Sequence, residues 1–209
     1  METNTYAQAK IEYTNQLIDL VKPIAFDNLF SLYQDSKSKS RTVSDTFQHF
    51  RNSLQEIPNW NQTRIEDESK QWIQQSGCDW MDDLITAVYV SHTKILLSVN
   101  KQSSSKKIDL VIPKTYNFFH KCYVSIAREM WKNPYLFQEN KVASEYQKNI
   151  HTIETLISES IEKTIRNTLP MKDILKRNLL EKEKEEESST SESETEPEPK
   201  PEPEPEPEP

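Results

Sequence analysis

The chain has 209 residues, of which 34% are apolar and 29% charged, with one glycine and a formal net charge of −8. Of its 34 acids and 26 bases, 13 acids and 3 lysines fall in residues 181–209, so residues 1–180 hold 21 acids against 23 bases, about +2. A near-neutral body carries no strong electrostatic footprint for DNA or RNA, and a lone glycine, Gly77, excludes a P-loop or dinucleotide fingerprint, where backbone must approach phosphate closely.

The longest apolar run, around Leu84 to Val90, is interrupted by Thr86 and falls well short of the roughly 18 residues that mark a membrane span. The opening METNTYAQAKIEY lacks the apolar stretch of a signal peptide. Cys78 and Cys122 lie 44 positions apart without repeated spacing, which fits buried free thiols in a reducing compartment better than a disulfide scaffold. A soluble intracellular product is expected.

In chain order, Tyr13, Leu17, Leu20 and Ile24 step at the helical period, and Pro23 is expected to kink or restart that helix. Beyond it Phe26, Phe30 and Tyr33 share a face, and DSKSKSRT, residues 35 to 42, reads as a solvated loop. Val43, Phe47, Phe50, Leu54 and Ile57 form a clean amphipathic stripe that Pro58 ends. Asn59 or Asn61 can cap the next helix, a charged surface element anchored by Ile65, Trp72 and Ile73. Gly77 suits its left-handed C-terminal cap, with Asp79 as N-cap of the helix that follows and Asp82 and Asp83 in its first turn, where the helix dipole favours negative charge.

From Trp80 to Val99 apolar residues occupy more than one face, which marks a central helix. A polar loop, NKQSSSKK, and a short extended segment, KIDLVIP, lead to a second dense helix from Pro113 or Lys114 to Trp131, broken at Pro134. Val142, Tyr146, Ile150, Ile153, Ile157, Ile161 and Ile165 then make a long one-sided stripe before Pro170, and a last short helix carries Met171, Ile174, Leu175 and Leu179. The absence of glycine-turned hairpins argues against a β-rich body. The expected fold is all-α or nearly so: one multi-helix globular domain over residues 1–180, with a disordered acidic tail over 181–209. That tail has seven prolines and no aliphatic or aromatic side chain, so it cannot bury a core. Ser189, Ser191 and Ser193 each precede a glutamate by three residues, which resembles the site preferred by acidophilic kinases.

Catalytic patterns are scarce. His92 falls at helical spacing with Ile85, Val88 and Leu96, and His120 with Tyr116, Tyr123 and Ala127, so both face apolar surroundings. A buried histidine bonded to a carbonyl or carboxylate is the commoner explanation of such a pattern. A closed zinc site could be drawn from Cys78, His92, His120 and Cys122, but the spacings match no finger pattern. A di-iron bundle needs glutamate three residues before histidine, and the residues there are Thr46, Tyr89, Asn117 and Lys148. HExxH is absent. Cys122 and His120, two apart on one helix, point to different faces and make no dyad, though Cys122 and His92 could meet across the two dense helices. No metal or cofactor is expected. Any site would have to assemble from Asp79, Asp83, His92, His120 and Cys122 where those helices pack. The aromatics between Trp80 and Phe137, beside Lys101, Lys106, Lys107, Lys114 and Lys121, are the best case for nucleic acid, although aromatics at helical spacing are usually core.

The segments IPNWN, CDWMDDLITAVYVSHTKILLSV, IPKTYNFFHKCYVSIAREMWKNPYLF, EYQKN and TIRNTLPMKDIL together resemble an uncharacterised protein family of nucleocytoplasmic large DNA viruses, the group that includes the mimiviruses and phycodnaviruses. The likeness covers roughly residues 10 to 180 and omits the tail. It carries no catalytic residue onto this chain. It implies a viral product made in the host cytoplasm, with packaging in the particle as an option. The leading expectation is a non-enzymatic structural or interaction protein, a candidate virion component with a protein partner. The alternatives are a nucleic-acid-associated factor in viral replication or transcription, and an enzyme with its site between the two dense helices. Oligomeric state and partner identity are not readable from the sequence.

Overall fold

The computed structural model describes residues 2–98, 110–139 and 142–176, and every regular element among them is helical. Six α-helices, α1 (Glu2–Ser38), α2 (Val43–Glu56), α3 (Gln62–Ser76), α4 (Met81–Leu97), α5 (Thr115–Lys132) and α6 (Ala143–Thr168), are joined by two 3-10 turns, Ile57–Asn59 and Pro134–Phe137. They fall in one compact unit, Met1–Pro170; in the second unit, which begins at Met171, residues 171–176 are helical. The acidic tail, Ser189, Ser191, Ser193, Leu179, the polar loop's lysines and the first part of KIDLVIP lie outside the described residues. Residues 110–114 have no regular secondary structure, so what is described of KIDLVIP is not a strand.

α1 departs most from the sequence reading, because it runs through Pro23 as one helix and continues to Ser38, leaving only residues 39–42 as the loop. An interior proline costs about 3 kcal/mol by removing a hydrogen bond and crowding the preceding turn. Against this, Leu17, Val21, Ala25 and Leu29 are fully buried and Ile18, Ile24 and Tyr33 nearly so, and each large side chain so buried contributes about 1.5–3 kcal/mol. Burial wins. Pro23 itself is exposed, so water can reach the backbone that it leaves unbonded. The buried face is also rotated from the expected stripe: Tyr13 is exposed and Leu20 only half-buried.

Caps set the lengths of the next two helices. Thr42 accepts a hydrogen bond from the Asp45 amide at the start of α2, and Asn61 accepts one from the Arg64 amide at the start of α3. Gly77 ends α3 in the left-handed conformation, φ 64°, as its position predicts. Asp79, by contrast, is not the N-cap of α4; Trp80 occupies that position and makes no side-chain capping bond. Asp82 and Asp83 do lie in the first turn, and Asp82 additionally accepts a hydrogen bond from the Thr115 hydroxyl, which ties the start of α4 to the start of α5.

α3 is less superficial than its charge suggests. Its Trp72 is among the largest fully buried side chains, with ring centroids 5.3 Å from Phe119 and 5.4 Å from Tyr123 on α5. A second aromatic knot joins α1, α2 and the turn after α5: Phe50 lies 5.5 Å from Tyr33 and 4.9 Å from Phe137. On α6 the stripe is buried at Ile153, Ile157, Ile161 and Ile165 but exposed at Val142. α4 packs chiefly against α1, whereas α5 packs chiefly against α6, α3 and α2. The two dense helices meet each other only briefly.

Candidate functional site

That division separates the residues marked by the sequence. Asp79 and Asp83 are exposed, and Cys122 is fully buried. His92 Nε2 lies 3.1 Å from the hydroxyl of Thr14 on α1. His120 donates through Nε2 to the Ile57 carbonyl at 2.9 Å, and its ring stacks on Trp60 with centroids 6.2 Å apart. The Cys122 thiol shares a hydrogen bond with Thr164 on α6, and burial pushes its pKa up, so it stays a thiol and not the thiolate a nucleophile needs. His92, His120 and Cys122 each have a partner on a different element. Among the described residues no three His, Cys, Asp or Glu side chains gather in a group that could hold a metal ion, so Cys78, His92, His120 and Cys122 do not form the tetrahedral set that could be drawn from the sequence.

Two places retain polar chemistry. The first is a cavity of about 250 Å³ between α1, α4 and α6, lined by Lys10, Thr14, Asn15, His92, Glu162 and Arg166 with Ile11 and Ile165. His92 is 8% exposed and closes its inner side. Burial first, then the charges of Lys10 and Arg166, lower its pKa to about 4, so the imidazole is neutral at pH 7. Glu162 pairs with Arg166 at 3.1 Å.

The second is a groove where α5 and α6 pass the turn after α2. One part, about 430 Å³, is lined by Leu54, Pro58, Arg128, Trp131, Lys132 and Lys163. Another, about 500 Å³, shares Pro58, Arg128, Glu129 and Lys163 and continues past Lys121, Ser125, His120 and Asn167. Glu129 holds Lys132 at 3.0 Å and Lys163 at 3.8 Å. Arg51 from α2 donates to the Trp131 carbonyl at 3.1 Å, with its guanidinium 5.2 Å from the centre of the Trp131 ring. Four cations, Lys121, Arg128, Lys132 and Lys163, thus line a groove whose lining holds one carboxylate, with Arg51 beside it on Trp131. Except for Lys121 these are not the lysines the sequence singled out. The signal for Lys163 and Lys10 was missing because their sites exist only once α6 and α1 have packed.

No curated protein and no solved structure matches the chain. A family model described as a family of unknown function matches residues 3–138, from the start of α1 through the 3-10 turn after α5, and leaves α6 beyond it. The match covers most of the helical unit, and the chain belongs to this uncharacterised family, DUF5764.

Proposed function

We propose that the protein is a non-enzymatic interaction protein of a large DNA virus, and that it docks an acidic, extended segment of a partner protein in the α5–α6 groove. The viral context is supported by the tryptophan-, histidine- and proline-rich segments between Ile57 and Leu175. The docking role is carried by one observation, the convergence of Lys121, Arg128, Lys132 and Lys163 on a groove whose lining holds a single carboxylate, in a body of near-neutral charge. Carboxylates of a partner can meet these cations individually, forming charge-assisted hydrogen bonds stronger than neutral ones.

A nucleic-acid strand fits the same groove less well. Stacking platforms need successive open ring faces, and here Trp131 is 39% exposed with Arg51 already over its ring.

The test uses the full chain, a fluorescent polyglutamate peptide and a single-stranded oligonucleotide of equal charge. Salt-sensitive peptide binding that weakens about tenfold or more in an Arg128→Glu, Lys163→Glu double variant supports the proposal. Tighter binding of the oligonucleotide, or peptide binding unchanged by the double variant, overturns it. Packaging is a separate question, answered by proteomics of purified particles; absence at good coverage removes the virion role.

A further inference from the structure

We propose that the cavity between α1, α4 and α6 is a binding site for a small oxyanion, a phosphate or phosphate monoester, held between Lys10 and Arg166 with Thr14 and His92 at its inner side. Four observations carry this. The residues come from three separate helices, so packing builds the site and no single exposed run of charge does. His92 is more than nine-tenths buried, and its Nε2 lies 3.1 Å from the Thr14 hydroxyl. Lys10 and Arg166 both act on the imidazole, since after burial itself their charges disfavour its protonation, and Glu162 pairs with Arg166 at 3.1 Å. Finally, the volume of about 250 Å³ suits an anion with a small organic group and not a polymer.

The donor set fits that ligand. An oxyanion presents several acceptor oxygens at once; Arg166 offers a planar fork, Lys10 a point charge, and Thr14 and Asn15 a hydroxyl and an amide. His92 adds a proton-linked donor. Its surroundings are Lys10 from α1 and Glu162 and Arg166 from α6; Lys94, further along α4, lies 5.0 Å from the centre of the Tyr6 ring. An anion bound between the two cations offsets their charge at the ring, so the imidazolium is less disfavoured and binding takes up a proton as pH falls through the His92 midpoint. This site is separate from the groove proposed for the acidic partner, and neither depends on the other.

Sulfate is the cleanest probe because its charge does not change across the range where His92 titrates. The experiment follows the histidine ring resonances of the full chain by NMR against pH, in sulfate and in chloride of equal ionic strength. The His92 resonance is assigned by its loss in His92→Gln. Saturating sulfate is expected to raise the His92 midpoint by about one pH unit, equivalent to about tenfold tighter binding to the protonated form. In Lys10→Gln and Arg166→Gln the effect should shrink severalfold, and inorganic phosphate should compete with sulfate, perturbing the same backbone-amide resonances of Lys10, Thr14 and Arg166. A His92 midpoint that sulfate and phosphate leave unmoved overturns the proposal. So does a sulfate-induced shift that is as large in both variants as in the unmodified protein. If His92→Gln fails to fold, the sulfate-induced shifts of the Lys10, Thr14 and Arg166 amides in the unmodified protein decide the matter, and their absence is equally fatal.

Discussion

His92 and His120 look alike in the sequence, each on a dense helix with apolar residues at helical spacing, yet the fold places them in opposite physical situations. His120 sits at the edge of an aromatic seam, bonded to a backbone carbonyl, stacked on Trp60 and followed inward by Tyr123 and Trp72, with the Arg64 guanidinium 4.2 Å from the centre of the Trp60 ring. His92 lines a polar cavity between two cations and shares its nitrogen with a hydroxyl. The seam fastens α3 and the turn after α2 onto α5. The cavity leaves an imidazole neutral because it is buried and, secondly, because its surroundings resist a third positive charge. The same spacing therefore marks a fastening in one region and a proton-sensitive site in the other, and it is the partner helix that decides which.

The comparison breaks most visibly at Trp72. Trp72→Ala should cost about 3–5 kcal/mol, since a large buried ring packed on Phe119 and Tyr123 leaves a cavity that packed helices only partly collapse. Trp72→Phe should cost far less than its lost volume suggests. It deletes an indole N–H that is buried without a hydrogen-bond partner among the described residues, an arrangement that itself costs about 1–3 kcal/mol. Urea denaturation of the two variants gives both numbers, and equal losses would show that the seam tolerates no smaller ring.

The His92 side is read through pH. The unfolded imidazole titrates near 6.5 and the folded one at about 4. Between those values the unfolded chain binds more protons, so this contribution is fully present above about pH 6.5 and is lost as pH falls towards 4, by up to about 3 kcal/mol. The measurement is the difference in pH dependence between the unmodified protein and His92→Gln, in chloride, which removes the background from carboxylates. Parallel curves would place His92 in the same structural class as His120. For His120 itself, replacement by alanine is expected to cost about 1–2 kcal/mol through the stranded Ile57 carbonyl, read by urea denaturation.

The smallest effect falls outside both regions. Gly77→Ala should cost about 1 kcal/mol, because the left-handed backbone is strained for a residue with a Cβ, while the space around that position is open. Gly77→Asn should recover part of the loss. A much larger penalty would mean that the α3 cap supports the seam beyond its own turn.

Much of the helical architecture was legible because local rules governed it. The stripe of α6, the start of α5 and the caps at Asn61 and Gly77 each follow from a few neighbouring residues whose period or backbone preference points one way. Where reading failed, a distant contact had overruled the local signal. Pro23 sits inside α1 because Leu17, Val21, Ala25 and Leu29 are held by other helices. Asp79 yields the cap position to Trp80. α3 looks superficial until Trp72 is seen against Phe119 and Tyr123.

By itself, the amino-acid order determined that this is a helical protein without a phosphate-binding glycine loop and with its charge concentrated in a proline- and glutamate-rich end. Those properties depend on residue type and spacing within single segments. Which polar groups meet was decided by tertiary structure alone, because α4 turned to α1 and α5 turned to α6, sending His92 towards Lys10 and Arg166 and Cys122 towards Thr164. Helical period says which residues share a face, but the neighbour that covers the face is set by the packing of the whole core.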